Sequence, residues 1–171
     1  MSESQVNIEK TTPNAIVSLR VSKHLANDAK ERLQLAAPLQ TAGLELQSLW
    51  LAPDQWLLIS ESQTPEAIIK HCEKSLDEIL HIALDYTSAL QRFRISGRDC
   101  RDILASGCGL DLRPQYFASG ACASTRLAQI AAIIVACRKD QYDLYVDCCY
   151  TTYLTEWLSD AIVVMELCIS D

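Results

Sequence analysis

No basic run interleaved with aromatic residues occurs in this sequence, and acidic residues outnumber lysine and arginine 22 to 15, for a formal net charge of −7 over 171 residues. A phosphate backbone or an anionic bilayer needs concentrated positive charge, so neither nucleic acid nor a membrane surface is an expected partner. No apolar run approaches the roughly 20 residues of a membrane span; the longest, Ile130 to Cys137, has the length of a buried strand. The start, MSESQVNIEKTTPN, lacks the basic head and apolar core of a secretory signal, which predicts a cytoplasmic address and a flexible tail over residues 1–14. Phosphate loops of the Walker or G-x-G-x-x-G type are missing, as is the G-x-S-x-G nucleophile elbow, and SGCG at Ser106 to Gly109 reads as a helix stop.

Metal-ligand spacing is missing too. There is no C-x-x-C, and His24, His71 and His81 form no H-x-x-x-H, so closely spaced pairs that could converge on one tetrahedral ion are absent. The chain nonetheless holds eight cysteines: Cys72, Cys100, Cys108, Cys122, Cys137, Cys148, Cys149 and Cys168. In a reducing compartment these are expected to be thiols, most of them small buried hydrophobes. A thiol-based metal or redox role using Cys148 and Cys149 with Cys137 or Cys168 stands as an alternative, although neighbours on a chain point apart in regular structure.

What is present is a core: 49% of the residues are apolar, enough to bury a sizeable interior. Val17, Leu19 and Val21 alternate with polar residues as in a half-buried strand. Leu25, Ala29 and Leu33 mark a surface helix running to about Ala36 and ended by Pro38. Leu44 to Leu51 and Gln55 to Ser60 read as a hairpin turning at Pro53 and Asp54. Thr64 and Pro65 start a helix with Ile68, Ile69, Cys72 and Leu76 on one face, and Ile79 to Asp85 returns as a strand. The order then recurs. Leu90 to Ser96 is a strand whose Phe93 and Ile95 face a core while Arg92 and Arg94 face water; Cys100, Ile103 and Leu104 form a helical stripe. Strands follow at Cys122 to Leu127, Ile130 to Cys137 and Tyr142 to Asp147, the second apolar enough to be buried on both faces. A helix begins at about Thr151 with Leu154, Trp157, Leu158 and Ala161 on one face, and Ile162 to Cys168 is a last strand.

LRVS against FRIS, and QWLLIS against YDLYVD, echo at corresponding places. The expected architecture is α+β: two tandem ferredoxin-like βαββαβ units, the first over residues 15–88 and the second over residues 89–171.

The run LDYTSALQRFRISGRDCRDIL resembles the Asp-Leu-Ser…Val-Ser-Gly-Pro-x-Ala…Leu signature of the aminomethyltransferase (glycine-cleavage T-protein) folate-binding fold. From about Ala15 to Trp157 the chain is more similar to the gamma-subunit family of heterotetrameric sarcosine oxidases, through LQSLWLAPDQWLLIS, SGRDCRDILASGCGLDLRP, FASGACASTRLAQ and DLYVD followed by a helix ending in EWL. In the T-protein fold the resemblance implies a carboxylate beside tetrahydrofolate, within a Gly-Gly-Ile-x-Asp-Asp segment after the stretch matched by CASTRLAQ. Here Ile130, Ala131, Ala132, Ile133 and Ile134 stand in that place, and no Asp or Glu occurs between Leu112 and Lys139, so no general acid or base comes from that segment. The Gly-Glu-x-Gly-x-Glu hairpin that grips the pterin is missing, and GACAS does not match the Gly-Cys-Tyr-x-Gly-Gln-Glu signature of the iron-sulfur maintenance branch.

The resemblance therefore implies an accessory, non-catalytic subunit. In such an oxidase, an assembly with alpha, beta and delta subunits, the alpha and beta subunits bind FAD, FMN and NAD and the alpha subunit binds tetrahydrofolate, and sarcosine is demethylated to glycine with hydrogen peroxide and either methylene-tetrahydrofolate or formaldehyde. No catalytic, cofactor-binding or metal-binding residue is then expected on this chain, which would dock on the alpha subunit. A stand-alone folate-binding or one-carbon-transfer protein is the alternative, with Asp85 as the residue to test; the competing reading of Asp85 is a cap on backbone N–H groups. Arg98, Asp99, Arg101 and Asp102 read as surface ion pairs. Trp50, Trp56 and Trp157 read as core, or, for one at an edge, as an interface anchor.

Overall fold

Asn7–Thr11 form strand β1, in a stretch where the sequence suggests a flexible tail over residues 1–14; the computed structural model describes residues 6–169, so residues 1–5 of that expectation lie outside the described residues. The polar composition hides the strand because β1 is an edge strand, whose outer side meets water and whose Glu9 and Lys10 guard the edge against unwanted pairing. Two units divide the chain. One holds Thr12–Leu90 with Gly120–Ala123; the other holds the chain up to Thr11, Gln91–Ser119, and Ser124 onward.

The unit containing Thr12–Leu90 runs β2 (Ala15–Val21), α1 (Ala26–Leu33), β3 (Thr41–Ala42), β4 (Gln47–Ala52), β5 (Gln55–Ser60), α2 (Pro65–Ser75) and β6 (His81–Asp85). Its sheet has the order β3-β4-β5-β2-β6, every described pair antiparallel. Leaving aside the two-residue β3, β6-β2-β5-β4 is the ferredoxin-like order, with the first strand between the fourth and third. Val17, Leu19 and Val21 cluster with Trp56, Leu58, Ala29, Ile68, Cys72 and Leu76, so the helical faces read from the sequence meet one face of the sheet. The N-cap holds: Thr64 Oγ1 accepts the Ala67 N–H at 3.3 Å, with Pro65 at the first helical position. Helix α1 stops at Leu33, short of Ala36, because Gln34 turns left-handed (φ 51°) and gives its N–H to the carbonyls of Lys30 and Glu31.

The other unit adds β7 (Leu90–Ser96), α3 (Cys100–Gly107), β8 (Cys122–Leu127), β9 (Ile130–Arg138), β10 (Gln141–Asp147) and α4 (Thr151–Ile169). Its sheet has the order β1-β7-β10-β9-β8. By sheet position β7 corresponds to β2, β10 to β5, β9 to β4 and β8 to β3. The two sequence echoes therefore fall on equivalent strands, LRVS and FRIS on β2 and β7, QWLLIS and YDLYVD on β5 and β10. The place of β6 is taken by β1, paired antiparallel with β7 from Asn7 against Ser96 to Thr11 against Arg92.

That substitution explains a second difference. Ile162 to Cys168, expected as a closing strand, is the continuation of α4, and the edge it would have filled belongs to β1. The β-branched run Ile162, Val163, Val164 suggests a strand, yet no Gly or Pro stands between Trp157 and Ile162 to end the helix, so backbone hydrogen bonding carries on. In β9, Ile134, Val135 and Ala136 are buried in succession, as the apolar run suggested, while Ala131 is exposed.

Ala128 and Gln129 join β8 to β9 with positive φ at both residues (50° and 69°), the backbone of a type I′ turn without its usual Asn-Gly. Gln129 is exposed and its carbonyl accepts from Arg126, a contact that needs no side chain. Gln129→Gly is expected to raise stability by about 1 kcal/mol through relief of the left-handed strain. A thermal melt checks this; a lower midpoint would mean that Gly's extra unfolded-state entropy outweighs the strain.

Candidate functional site

The most heavily buried charges lie on β7 and β10. Arg94 donates from Nε and Nη2 to the two carboxylate oxygens of Asp143, each at 2.7 Å, and Arg92 donates from Nε to Thr11 Oγ1 at 2.7 Å, which ties β1 to the sheet. Arg92 and Asp143 are buried. The face of β7 read as wet is therefore closed over Arg92. Period-two alternation separates the faces of a strand but does not say what covers the second one. The hydrogen bonds it donates to Asp143 hold Arg94 firmly protonated, and burial pushes the Tyr145 hydroxyl above its ordinary range. A carboxylate whose two oxygens are engaged by one guanidinium is poorly placed to take a substrate proton. The arrangement is a structural clasp.

Asp85 ends β6 and its Oδ1 accepts the Thr87 N–H at 2.8 Å, while Thr87 Oγ1 accepts the Ile16 N–H at 3.0 Å. That is the capping role, and it engages the one carboxylate on which a folate reading would depend. Among the surface charges Arg98 pairs with Asp99 at 3.5 Å and Arg101 with Asp140 at 3.6 Å, worth little individually.

Cys72, Cys100 and Cys122 are buried, and burial pushes each thiol up to about 11; Cys137, desolvated and close to Asp143, is pushed up to about 12. Cys148 and Cys149 are exposed in a 3-10 turn, Cys148–Tyr150, that starts α4, where Asp147 accepts the Cys149 N–H at 2.9 Å and its hydrogen bond pushes the Cys149 thiol up. Among the described residues, no group of three or more His, Cys, Asp or Glu could hold a metal ion; the Cys168 side chain lies outside the described residues.

Alkylation near pH 8 is therefore expected to mark Cys148 and Cys149 in the folded protein and to reach Cys72, Cys100 and Cys122 only on unfolding. Peptide mapping by mass spectrometry reads this, and rapid native labelling of Cys72 would overturn it. The buried thiols have folded pKa values above the ordinary 9.0. Their contribution to stability is thus complete below about pH 9 and is lost as pH rises through about 11.

Apolar side chains also stand in water. On β6, Ile82 and Leu84 share one face and are more than half exposed, and the stripe continues in Leu80 just before the strand, also more than half exposed, and Tyr86 just after it. Ala83, on the opposite face, packs on the helix-side core. The sequence carried this signal as a period of two, hidden because β6 reads simply as a returning strand. On α4, Val163, Val164 and Leu167 are more than half exposed. Trp56 is core, its Nε1–H donated to the Ala36 carbonyl at 3.0 Å, whereas Trp157 is only partly buried and lines a groove of about 450 Å³ with Ser106, Asp160, Ala161, Val164 and Met165. Exposed aliphatic stripes of this kind mark interaction surfaces rather than pockets for small polar substrates. No described helix is long and apolar enough to cross a membrane.

Comparison with known proteins agrees with this picture. The profile of the sarcosine oxidase, gamma subunit family matches residues 19–164. A curated relative, sarcosine oxidase subunit gamma of Corynebacterium sp. (strain U-96), is 25% identical over 113 residues; the match covers 66% of this chain and about half, 54%, of that relative. Among solved structures, a chain of the heterotetrameric sarcosine oxidase from Corynebacterium sp. U-96, in complex with pyrrole 2-carboxylate, superposes with a TM-score of 0.84 at 22% identity, covering 97% of this chain and 88% of that one. The aminomethyltransferase T of the glycine cleavage system from Bartonella henselae superposes with a TM-score of 0.64 at 15% identity, over 91% of this chain and 46% of that one. Both likenesses show the fold: two ferredoxin-like units of the T-protein type.

Proposed function

The chain belongs to the sarcosine oxidase gamma-subunit family, and from that premise we propose that it is an accessory, non-catalytic subunit of a heterotetrameric sarcosine oxidase. The observation that carries the reading is the family match over residues 19–164. The physical features fit it: Asp143 and Asp85 are committed to structure, while aliphatic stripes on β6 and α4 face water as they would on a subunit awaiting its partners. On this reading the chain docks on the alpha subunit within a cytoplasmic assembly of alpha, beta, gamma and delta. The FAD, FMN, NAD and tetrahydrofolate of the reaction are held by the partners, and sarcosine is converted to glycine away from this chain's surface.

Recovery of the tagged chain from its own host tests the reading. It should emerge in a large particle with flavin absorbance that oxidises sarcosine. A colourless chain of monomeric mass would sink it, and a flavin particle that oxidises a different methylated amine would replace the substrate while keeping the role.

A further inference from the structure

Helices α3 and α4 pack together, and the groove beside them is lined by Ser106 of α3 and by Trp157, Asp160, Ala161, Val164 and Met165 of α4. Along α4 the groove and its lip follow helical spacing: Trp157, Asp160, Val164 and Leu167 fall at steps of three and four, so they share one side of the helix. Val163 widens the stripe, since it lies four residues before Leu167. The stripe exists because the chain stays helical past Ala161; as a strand, the same residues would have alternated between two faces.

The charge of α4 is one-sided. The helix contains Glu156, Asp160 and Glu166 and no lysine or arginine. Glu156 and Asp160, both exposed and one turn apart, repel each other across the helix surface, and neither has an ion-pair partner among the described residues. An apolar stripe that carries one carboxylate, Asp160, beside a second uncompensated carboxylate, is complementary to an apolar surface bordered by positive charge. Two helices flanking a concave apolar seat suit a third helix better than an extended strand. The β6 stripe, by contrast, has one adjacent carboxylate, Asp85, and that already accepts the Thr87 N–H.

Resting on the accessory-subunit reading, we propose that the α3–α4 groove seats an amphipathic helix of the partner subunit whose apolar stripe is bordered by lysine or arginine placed to meet Asp160 and Glu156. Trp157 forms the floor of this seat and Val164 and Leu167 its lip.

The experiment is incorporation of tagged variants into the flavin particle in the native host, read as the ratio of tagged chain to flavin. Val164→Glu and Leu167→Glu should lower incorporation about tenfold or more. Asp160→Lys should lower it as well, and added salt should loosen wild-type particles more than particles carrying Asp160→Asn. Val164 and Leu167 are more than half exposed, so the melting temperatures of the isolated variants should match the wild type, separating lost docking from lost folding. The control on the other surface, Ile82→Glu with Leu84→Glu, should still incorporate. Wild-type incorporation of Val164→Glu and Leu167→Glu, or exclusion of the β6 variant alone, overturns the groove while leaving the accessory role standing. A wild-type chain that emerges alone removes both readings. A homodimer dispersed by Val164→Glu would assign the groove to a second copy and likewise overturn the proposal.

Discussion

Asp143→Ala is expected to destabilise the protein by about 3 kcal/mol, the lower end of what breaking one side of a buried ion pair costs. The Asp143 side chain is 6% exposed and that of Arg94 34%, so water can rescue the abandoned guanidinium only in part. Without the carboxylate, Nε and Nη2 of Arg94 lose both acceptors at once, beside a buried Tyr145 that offers no negative charge at working pH. The loss comes mainly from the charge left behind and less from the net worth of the pair, which gives the prediction its control. Arg94→Met combined with Asp143→Leu, which removes both charges and keeps volume, should recover most of the deficit. Denaturant midpoints at unchanged slope measure both variants. A loss under about 1 kcal/mol for Asp143→Ala, or a double variant no better than the single, would show that the sheet relaxes enough to hydrate Arg94. Against a typical total of roughly 5–15 kcal/mol, a 3 kcal/mol loss would also lower the chain's abundance in the cell.

The clasp illustrates what the sequence could and could not disclose. Phe93 and Ile95 announced β7 and its core face because a period of two is local. The partner of Arg94 is 49 positions away, and no pattern on β7 points to it. Thr11 shows the same limit: a polar segment becomes a strand only because β7 offers it an edge. The duplication was legible, since equal positions in two sheets need similar alternation, and LRVS and FRIS preserve it. What was not legible was which segment closes the second sheet. Ile162, Val163 and Val164 have strand propensity, and the choice between strand and helix was made by the absence of a breaker after Trp157 together with the prior claim of β1 on the edge. The candidate docking surfaces follow the same division. The β6 stripe was written in the sequence as alternating aliphatics, but alternation is equally the mark of a buried face, and only the fold shows that this one meets water.

Gly107→Ala separates local propensity from packing by the sign of its effect. Gly107 is the last residue of α3, and on helix propensity alone alanine there should stabilise by up to about 1 kcal/mol. A Cβ at Gly107, however, would stand 2.5 Å from Cη2 of Trp157, well inside the roughly 3.5–4.0 Å at which carbon atoms attract. The indole must turn or α3 must shift away from α4, at a cost of about 2–3 kcal/mol that outweighs the propensity gain. The expected net result is a loss of about 1–2 kcal/mol. Fluorine NMR of protein labelled with fluorotryptophan should show the Trp157 resonance moving while that of Trp56, buried in the other unit's core, stays in place. A more stable variant with an unmoved Trp157 resonance would mean that the ring does not rest on Gly107. Because the same ring floors the α3–α4 groove, displacing it should also weaken incorporation into the flavin particle. Gly107→Ala and Val164→Glu would then reach the same seat from opposite sides, one by moving its floor at some cost in stability and the other by charging its lip at none.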